Sequence, residues 1–412
     1  MSTSVSTLEP IPRFTIDLAR PPRERYDEVV RVFGPRMRSL AGLFDTILSK
    51  VIISPWVRST AGVLSKLCLR RVYDKEENEE IRGISAASGV PLYLLVALNN
   101  LLDCLLGCTS GAAPVKPTIT WENTGDGASQ DCTRLLHFRT LDWTIHGLRE
   151  LLVVLEFVDS SSDDRSQVIA RSITYARFVG CLTGVRPGLS ISLNQRPCHD
   201  GPSRQLHWHQ LLVLLGRRRS VASIVRSLLF QPYQQLDQTE YPGEGAVSKF
   251  VEHASSLAAV PCAPCYLILC DGQEAVVIVK DHVNGTVQST REFIAQTNHD
   301  PYHHAERTVQ NQRISRQDRH EALASAFAGE GWAEESVDRL QCLQQKWDRL
   351  VPSLQARSSK TLVMAKPSIT ERTLRKWICD YPTLNEYSHF VTILDPMAGT
   401  IRWLIRGLPK DL

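Results

Sequence analysis

The spacing of apolar positions changes along the chain, and the changes mark out its organisation. "RFTIDLA" (13–19) alternates apolar and polar residues and predicts a short extended piece. After Pro21-Pro22 the spacing becomes helical, in "RERYDEVVRVF", "RMRSLAGLFDTILSKVI" and "DKEENEEIRGISAASG". "VPLYLLVALNNLLDCLL" (90–106) is apolar on most faces, so a buried helix is expected there. Beyond Cys108 the pattern changes to short β-rich runs. "RLLHFRTLDW", "LLVVLEFV", "QVIARSITYARFVG" and "GLSISLNQ" read as strands separated by Gly, Ser, Asp and Pro.

Two helix-like segments, "HWHQLLVLLG" and "SVASIVRSLLF", interrupt the strands, which return in "CYLILC" and "EAVVIVKD". A loop-rich stretch (298–320), a helix around "ESVDRLQCLQQKWDRL" and closing strands in "HFVTILD" and "TIRWLIRG" complete the chain. Runs of strands, then helices, then strands predict packed α+β layers rather than alternating βαβ units. "PVKPTITWENTGDGASQD" (114–131) is polar and reads as an inserted surface loop.

Composition narrows the choice. The 412 residues are 43% hydrophobic and 22% charged, the balance of an ordinary globular protein. A net charge of +3 is too small a bias to imply nucleic acid as a partner. Val90 to Cys108 is the most apolar run, but Asn99, Asn100 and Asp103 interrupt it and argue against a membrane span. The opening residues lack a basic segment followed by an apolar one, so the expected location is cytoplasmic. Eleven cysteines without a secretory leader predict mostly reduced thiols. Cys262 and Cys265 form the one close pair; with no second pair at zinc spacing, they read as small residues entering a buried strand.

The chemistry centres on "LLDCLLGCTSGAAPV" (101–115). A thiol attacks only as thiolate, which needs a base or a positive charge beside it. Cutting the chain before Cys108 would supply a base, the new α-amine, whose ordinary pKa is about 8. Gly107 leaves the preceding carbonyl sterically open to attack. Cys132, in "DCTRLL", is a rival nucleophile, but only six residues separate it from Arg139, too few for two strands and a turn.

"GCTS" followed by a hairpin ending in "HFRTLDW" resembles the nucleophile hairpin of the acid ceramidase and N-acylethanolamine acid amidase family. That family consists of N-terminal-nucleophile cysteine hydrolases of the choloylglycine-hydrolase type. "FVGCLTGVRPGLSISLNQR" (178–196), "IAQTNHDPY" (294–302), "RFTIDLARPPRERY" and "EIRGISAASGV" resemble further blocks of it, in the same order. The resemblance implies an αββα sandwich made as an inactive precursor. Residues 1–107 would be a mostly helical α-subunit region, and 108–412 the catalytic β-subunit beginning at the nucleophile. Autocleavage would fall between Gly107 and Cys108, leaving the two fragments of the chain as partners. Cys108 would be the nucleophile, Arg139 and Asp142 the family's charged pair, and Asn298 the donor to the oxyanion. The family's further Arg is matched best by Arg319, ahead of Arg307 or Arg316. Asn194 and Gln195 stand where residues lining the site are expected.

Three departures stand out. Thirty residues lie between Cys108 and Arg139, about twice the family's spacing. Gln195 replaces the acid of the family's Asn-Glu-Arg, and the opening residues predict no secretory leader like that of the lysosomal relatives. No cofactor and no metal is expected: His299 and His303 have i, i+4 spacing, His304 adjoins them, and no third ligand is suitably placed. The expected activity is hydrolysis of the amide bond of an N-acylated lipid, a ceramide or an N-acylethanolamine, through a thioester. The helix at 91–106 would form one wall of an acyl channel, and contact with a membrane surface would be transient. An amidase or acyltransferase on another N-acyl compound, and a lipid-binding relative that never cleaves, are the alternatives.

Overall fold

The computed structural model describes residues 10–39, 42, 66–101, 107–116, 133–197, 203–231, 248–300, 332–358 and 367–407. Two sheets lie face to face. The larger takes β1 (Arg13–Asp17), β4 (Leu152–Val158), β5 (Ala170–Tyr175), β6 (Thr183–Arg186), β7 (Leu189–Gln195), β8 (Cys265–Cys270), β9 (Ala275–Lys280) and β10 (Gly285–Thr290), adjacent in that order. All its neighbours are antiparallel except β1 and β4. The smaller sheet runs β11 (Ile294–Gln296), β2 (Gly107–Val115), β3 (Arg134–Asp142), β12 (Ser388–Asp395) and β13 (Thr400–Arg406).

Helices α1 (Asp27–Ser39), α2 (Lys75–Ser88) and α3 (Leu92–Leu101) come from the first part of the chain. The second group is α4 (Ser203–Leu214), α5 (Val221–Phe230) and α6 (Lys249–Ala258). Helix α5 packs on β6 and β7, and α6 on β9 and β10. The last two, α7 (Trp332–Ser358) and α8 (Glu371–Cys379), cover the smaller sheet. The order helix, sheet, sheet, helix is the expected αββα sandwich.

Alternation along β2 and β3 accounts for the layering. Ala113, Val115, Leu136 and Phe138 turn outward and join Leu343, Trp347 and Trp377 of α7 and α8 in one apolar cluster. Ser110 and His137 turn inward and meet Asn194, Ser190 and Ser192 of the facing sheet through hydrogen bonds of 2.8 to 3.0 Å. Buried polar groups survive between sheets when each is paired. Gly111 permits the close approach of β11, since a Cβ there would lie 2.1 Å from the carbonyl oxygen of Ile294.

The first hundred residues are more than a helical cap, because β1 is itself an edge strand of the larger sheet. Glu80 of α2, fully buried, lies between Arg25 (3.0 Å) and Arg226 of α5 (2.8 Å), and so ties that region to the sandwich. The expected helix at 90–106 is observed as Leu92–Leu101, ahead of a strand that begins at Gly107. Residues 102–106 lie outside the described residues, as do 117–131 of the expected surface loop and Cys132; Pro114 and Val115, expected in that loop, instead end β2, paired with Leu135 and Arg134. Among the described residues no helix is long and apolar enough to cross a membrane.

Candidate active site

Cys108 is the second residue of β2, completely buried, with its sulfur turned toward the larger sheet and 3.8 Å from the carbonyl oxygen of Leu193. Register explains its neighbour. Cys108 pairs with Leu141 and Ser110 with Arg139, so Arg139 lies on the same face as the thiol, one diagonal step away. Arg139 Nη2 is 3.0 Å from Cys108 Sγ and also donates to the carbonyl of Leu193 at 2.6 Å. Its Nη1 donates to the carbonyl of Leu182. Those backbone oxygens hold a full positive charge against the sulfur. Burial pushes the thiol above its ordinary pKa, and the Arg139 guanidinium opposes that shift.

Asp142 has the opposite parity and faces α7. It pairs with Gly107 across the hairpin, so its backbone sits opposite the bond expected to break. Arg339 Nη1 makes a buried ion pair with Asp142 Oδ2, and Ser388 Oγ donates to Oδ1 at 2.6 Å. Burial raises the Asp142 carboxyl, while Arg339 pulls it down.

Asn298 follows β11 and reaches across to the nucleophile strand. The Cys108 amide N–H donates to its Oδ1 at 2.7 Å, and Arg339 Nη2 donates to the same oxygen at 3.3 Å. Its Nδ2 donates to the carbonyl of Gln195 at 2.9 Å. In this uncut chain Asn298 therefore acts as an acceptor on the nitrogen of Cys108, with its amide NH2 engaged elsewhere. Ser336 Oγ of α7 accepts from the Asn298 backbone N–H at 2.9 Å, which anchors the loop.

Gly107, Asp142, Gln195, Asn298, Glu335 and Arg339 line a cleft of about 20 Å3, space for roughly one water molecule. Burial raises the carboxyl of Glu335, again opposed by Arg339. Asn194 lies just inside: it accepts from Ser110 Oγ at 2.8 Å and donates to the carbonyl of Gln296 at 3.0 Å, joining the two sheets.

The structure thus brings together Gly107, Cys108, Arg139, Asp142, Asn194, Gln195 and Asn298. Arg319 lies outside the described residues, as do Arg307, Arg316, His303 and His304. His299 hydrogen-bonds Ser336 (2.9 Å) and Thr297 (3.0 Å), and no group of three metal ligands exists among the described residues. Cys262 and Cys265 are buried free thiols, as read from their setting.

Arg339 escaped the sequence reading. Its signal was there: Ser336, Arg339, Leu343 and Trp347 recur at helical spacing, so α7 carries a serine and an arginine on its buried stripe. A charged residue on such a stripe needs a buried partner.

Comparison with known proteins adds a second line of evidence. A family model described as the beta subunit of N-acylethanolamine-hydrolyzing acid amidase matches residues 9–73. Acid ceramidase of Bos taurus is 26% identical over 323 residues, covering 71% of this chain and 70% of that protein. The N-acylethanolamine-hydrolyzing acid amidase of Caenorhabditis elegans is 28% identical over 194 residues, covering 44% of this chain and 47% of that one. The solved structure of the Caenorhabditis elegans N-acylethanolamine-hydrolyzing acid amidase ortholog aligns with a TM-score of 0.45 at 17% identity, over 70% of this chain and 93% of that one.

Proposed function

We propose that this chain, which is similar to acid ceramidases and to N-acylethanolamine-hydrolyzing acid amidases over much of its length, belongs with these amide hydrolases and is an autoprocessed cysteine amidohydrolase of N-acylated lipids. The observation that carries the proposal is the setting of Cys108. Its sulfur faces a guanidinium at 3.0 Å, its nitrogen is held at 2.7 Å by Asn298, and the preceding glycine borders the cleft.

In the first step Cys108 Sγ adds to the carbonyl carbon of Gly107. The C–N bond breaks, the nitrogen takes a proton, and the acyl group passes to sulfur as a thioester. That cleavage leaves a new α-amine on Cys108, and water then hydrolyses the thioester to free the Gly107 carboxylate and the thiol. The bland requirement on Gly107 is steric openness, which glycine satisfies.

In turnover the α-amine accepts the thiol proton and the thiolate attacks the substrate's amide carbonyl. The amine half leaves with that proton. Water then releases the fatty acid from the acyl-thioester and restores the thiol. Arg139 favours the thiolate, and Asp142, steadied by Arg339 and Ser388, attracts the α-ammonium. Once the peptide N–H is gone, Asn298 is free to turn its Nδ2 toward the oxyanion.

Gln195 stands where the family has an acid, so the site has no titrating group at that position. An α-amine of ordinary pKa then works better near pH 7 than in acid. Denaturing electrophoresis of purified protein tests the first step: fragments 1–107 and 108–412 form, and Cys108→Ala abolishes both. A panel of ceramides, N-acylethanolamines and other N-acyl amides at pH 4.5 and 7.5 tests the second. An intact wild-type chain with no amidase activity would overturn the proposal and leave a non-cleaving lipid-binding relative.

A further inference from the structure

The outer side of the larger sheet carries a second, wider concavity. It occupies about 700 Å3 between the α4–α5 loop, α5, α6 and the β9–β10 turn, and none of its lining residues lines the cleft at Gly107. That volume lies within the range of small-ligand sites. Ile224, Leu228, Leu257, Val260, Pro261 and Val283 give it an apolar floor. Arg217, Arg218 and Arg219 stand at its mouth with His209, His253 and His282, and no Asp or Glu lines it among the described residues.

The loop that carries the three arginines is fixed rather than draped over the surface. Gly216 has φ +62°, and a Cβ there would lie 2.6 Å from the carbonyl oxygen of Arg71. Among the described residues Arg217 has no carboxylate partner, and Arg219 approaches Asp74 only at 3.9 Å. Arg217 and Arg218 are consecutive cations beside an apolar floor with no carboxylate partner among the described residues, a setting that an anion would stabilise.

His209 gives an independent indication. It is 1% exposed, lines the groove, and takes Arg218 Nη1 at 3.0 Å on its Nδ1. A guanidinium can only donate, so Nδ1 is the acceptor and the ring proton sits on Nε2. That buried N–H has no acceptor among the described residues. A buried donor left without an acceptor is destabilising, and an incoming oxygen would satisfy it.

We propose that this groove binds a single-chain anionic amphiphile. The apolar chain lies along Ile224, Leu228 and Val260, and the carboxylate or phosphate head sits among Arg217, Arg218 and the Nε2–H of His209. Fatty acids and alkyl phosphates share this chemistry. The site makes no use of Cys108 and stands whether or not the chain is cut.

Calorimetric titration of the full-length Cys108→Ala chain tests it, with four probes. Dodecanoate and dodecyl phosphate carry chain and charge, dodecyl maltoside carries the chain alone, and inorganic phosphate the charge alone. At least one of the two anionic amphiphiles should bind at least tenfold more tightly than either control, and which of them wins identifies the head. Arg217→Glu and Val260→Asp, both at surface positions, should each weaken that binding at least tenfold, with thermal melts confirming that the variants fold. Equal affinity for dodecyl maltoside, or binding unchanged in both folded variants, would overturn the proposal.

Discussion

The Asp142–Arg339 pair offers the sharpest test of how the site is held. Both side chains are 5% exposed, and each is the other's charge partner. Removing one member of a buried pair strands the other, at a cost of about 3–5 kcal/mol, whereas replacing both with apolar groups of similar size is often close to neutral. The perturbations are Asp142→Leu, Arg339→Met and the two together, made in the Cys108→Ala chain so that cutting does not confuse the comparison. At about 2.1 cal/mol/K of unfolding entropy per residue, each single change should lower Tm by about 4–6 °C. The double variant should lose no more than either single one. The assay is scanning calorimetry at pH 7, read as a double-mutant cycle. Losses that add within about 0.5 kcal/mol would show that the two groups are energetically independent, and the account of Asp142 given above would be wrong.

Other consequences follow from the same geometry. Arg139→Gln removes the charge that counters the burial of Cys108, so the pH profile of thiol alkylation in the cut enzyme should move upward. Amide hydrolysis at pH 7 should fall at least tenfold, since each unit in the thiol pKa changes the thiolate fraction about tenfold. Asn298→Ala loses both the acceptor on Cys108 N and the proposed oxyanion donor; turnover should fall about 10²–10³-fold, with slower release of fragment 1–107 on gels. Glu77 is held up to about 7 by burial, with Arg226 pulling it down. The folded chain therefore keeps a proton that the unfolded chain releases near 4.5. Its contribution is full below pH 4.5 and fades as pH rises to 7, by about 3 kcal/mol. Glu77→Gln should flatten that part of the Tm–pH curve and raise Tm at pH 8.

What could be read from sequence depended on whether local pattern and tertiary environment agreed. Residues 134–142 are β-rich and were legible as a strand, and the motif residues of 107–115 marked the site, but both strands are buried on both faces, so which side chains meet the thiol was settled only by the register. Strand β10, "GTVQST", has almost no apolar face; it forms because β9 presents an open edge, which no local pattern reveals. Helix α8 is nine residues long, capped by Thr370, and buries only Leu374, Trp377 and Ile378, too short a stripe to stand out. Arg339 looked like one more polar residue on a helix. Its partner Asp142 lies 197 positions away, and only the fold shows that the two meet.

Cutting the chain after Gly107 should leave its two parts together, and the reason lies far from the thiol. Strand β1 is paired along its whole length with β4, so the first fragment completes the larger sheet. Glu80 is fully buried against Arg25 on its own side of the cut and Arg226 on the other. Withdrawing the fragment would leave Arg226 in an apolar setting without its carboxylate, and Ser223 without Glu77, which accepts its hydroxyl at 3.0 Å. Fragments 1–107 and 108–412 should therefore co-elute on native size-exclusion chromatography and separate only under denaturing conditions. Glu80→Ala strands Arg226, while Arg25 keeps Glu76 at 3.0 Å, and should lower the urea concentration at which the cut fragments part. Spontaneous separation of the wild-type fragments at neutral pH would mean that the edge strand and the buried charges do not hold the first fragment in place.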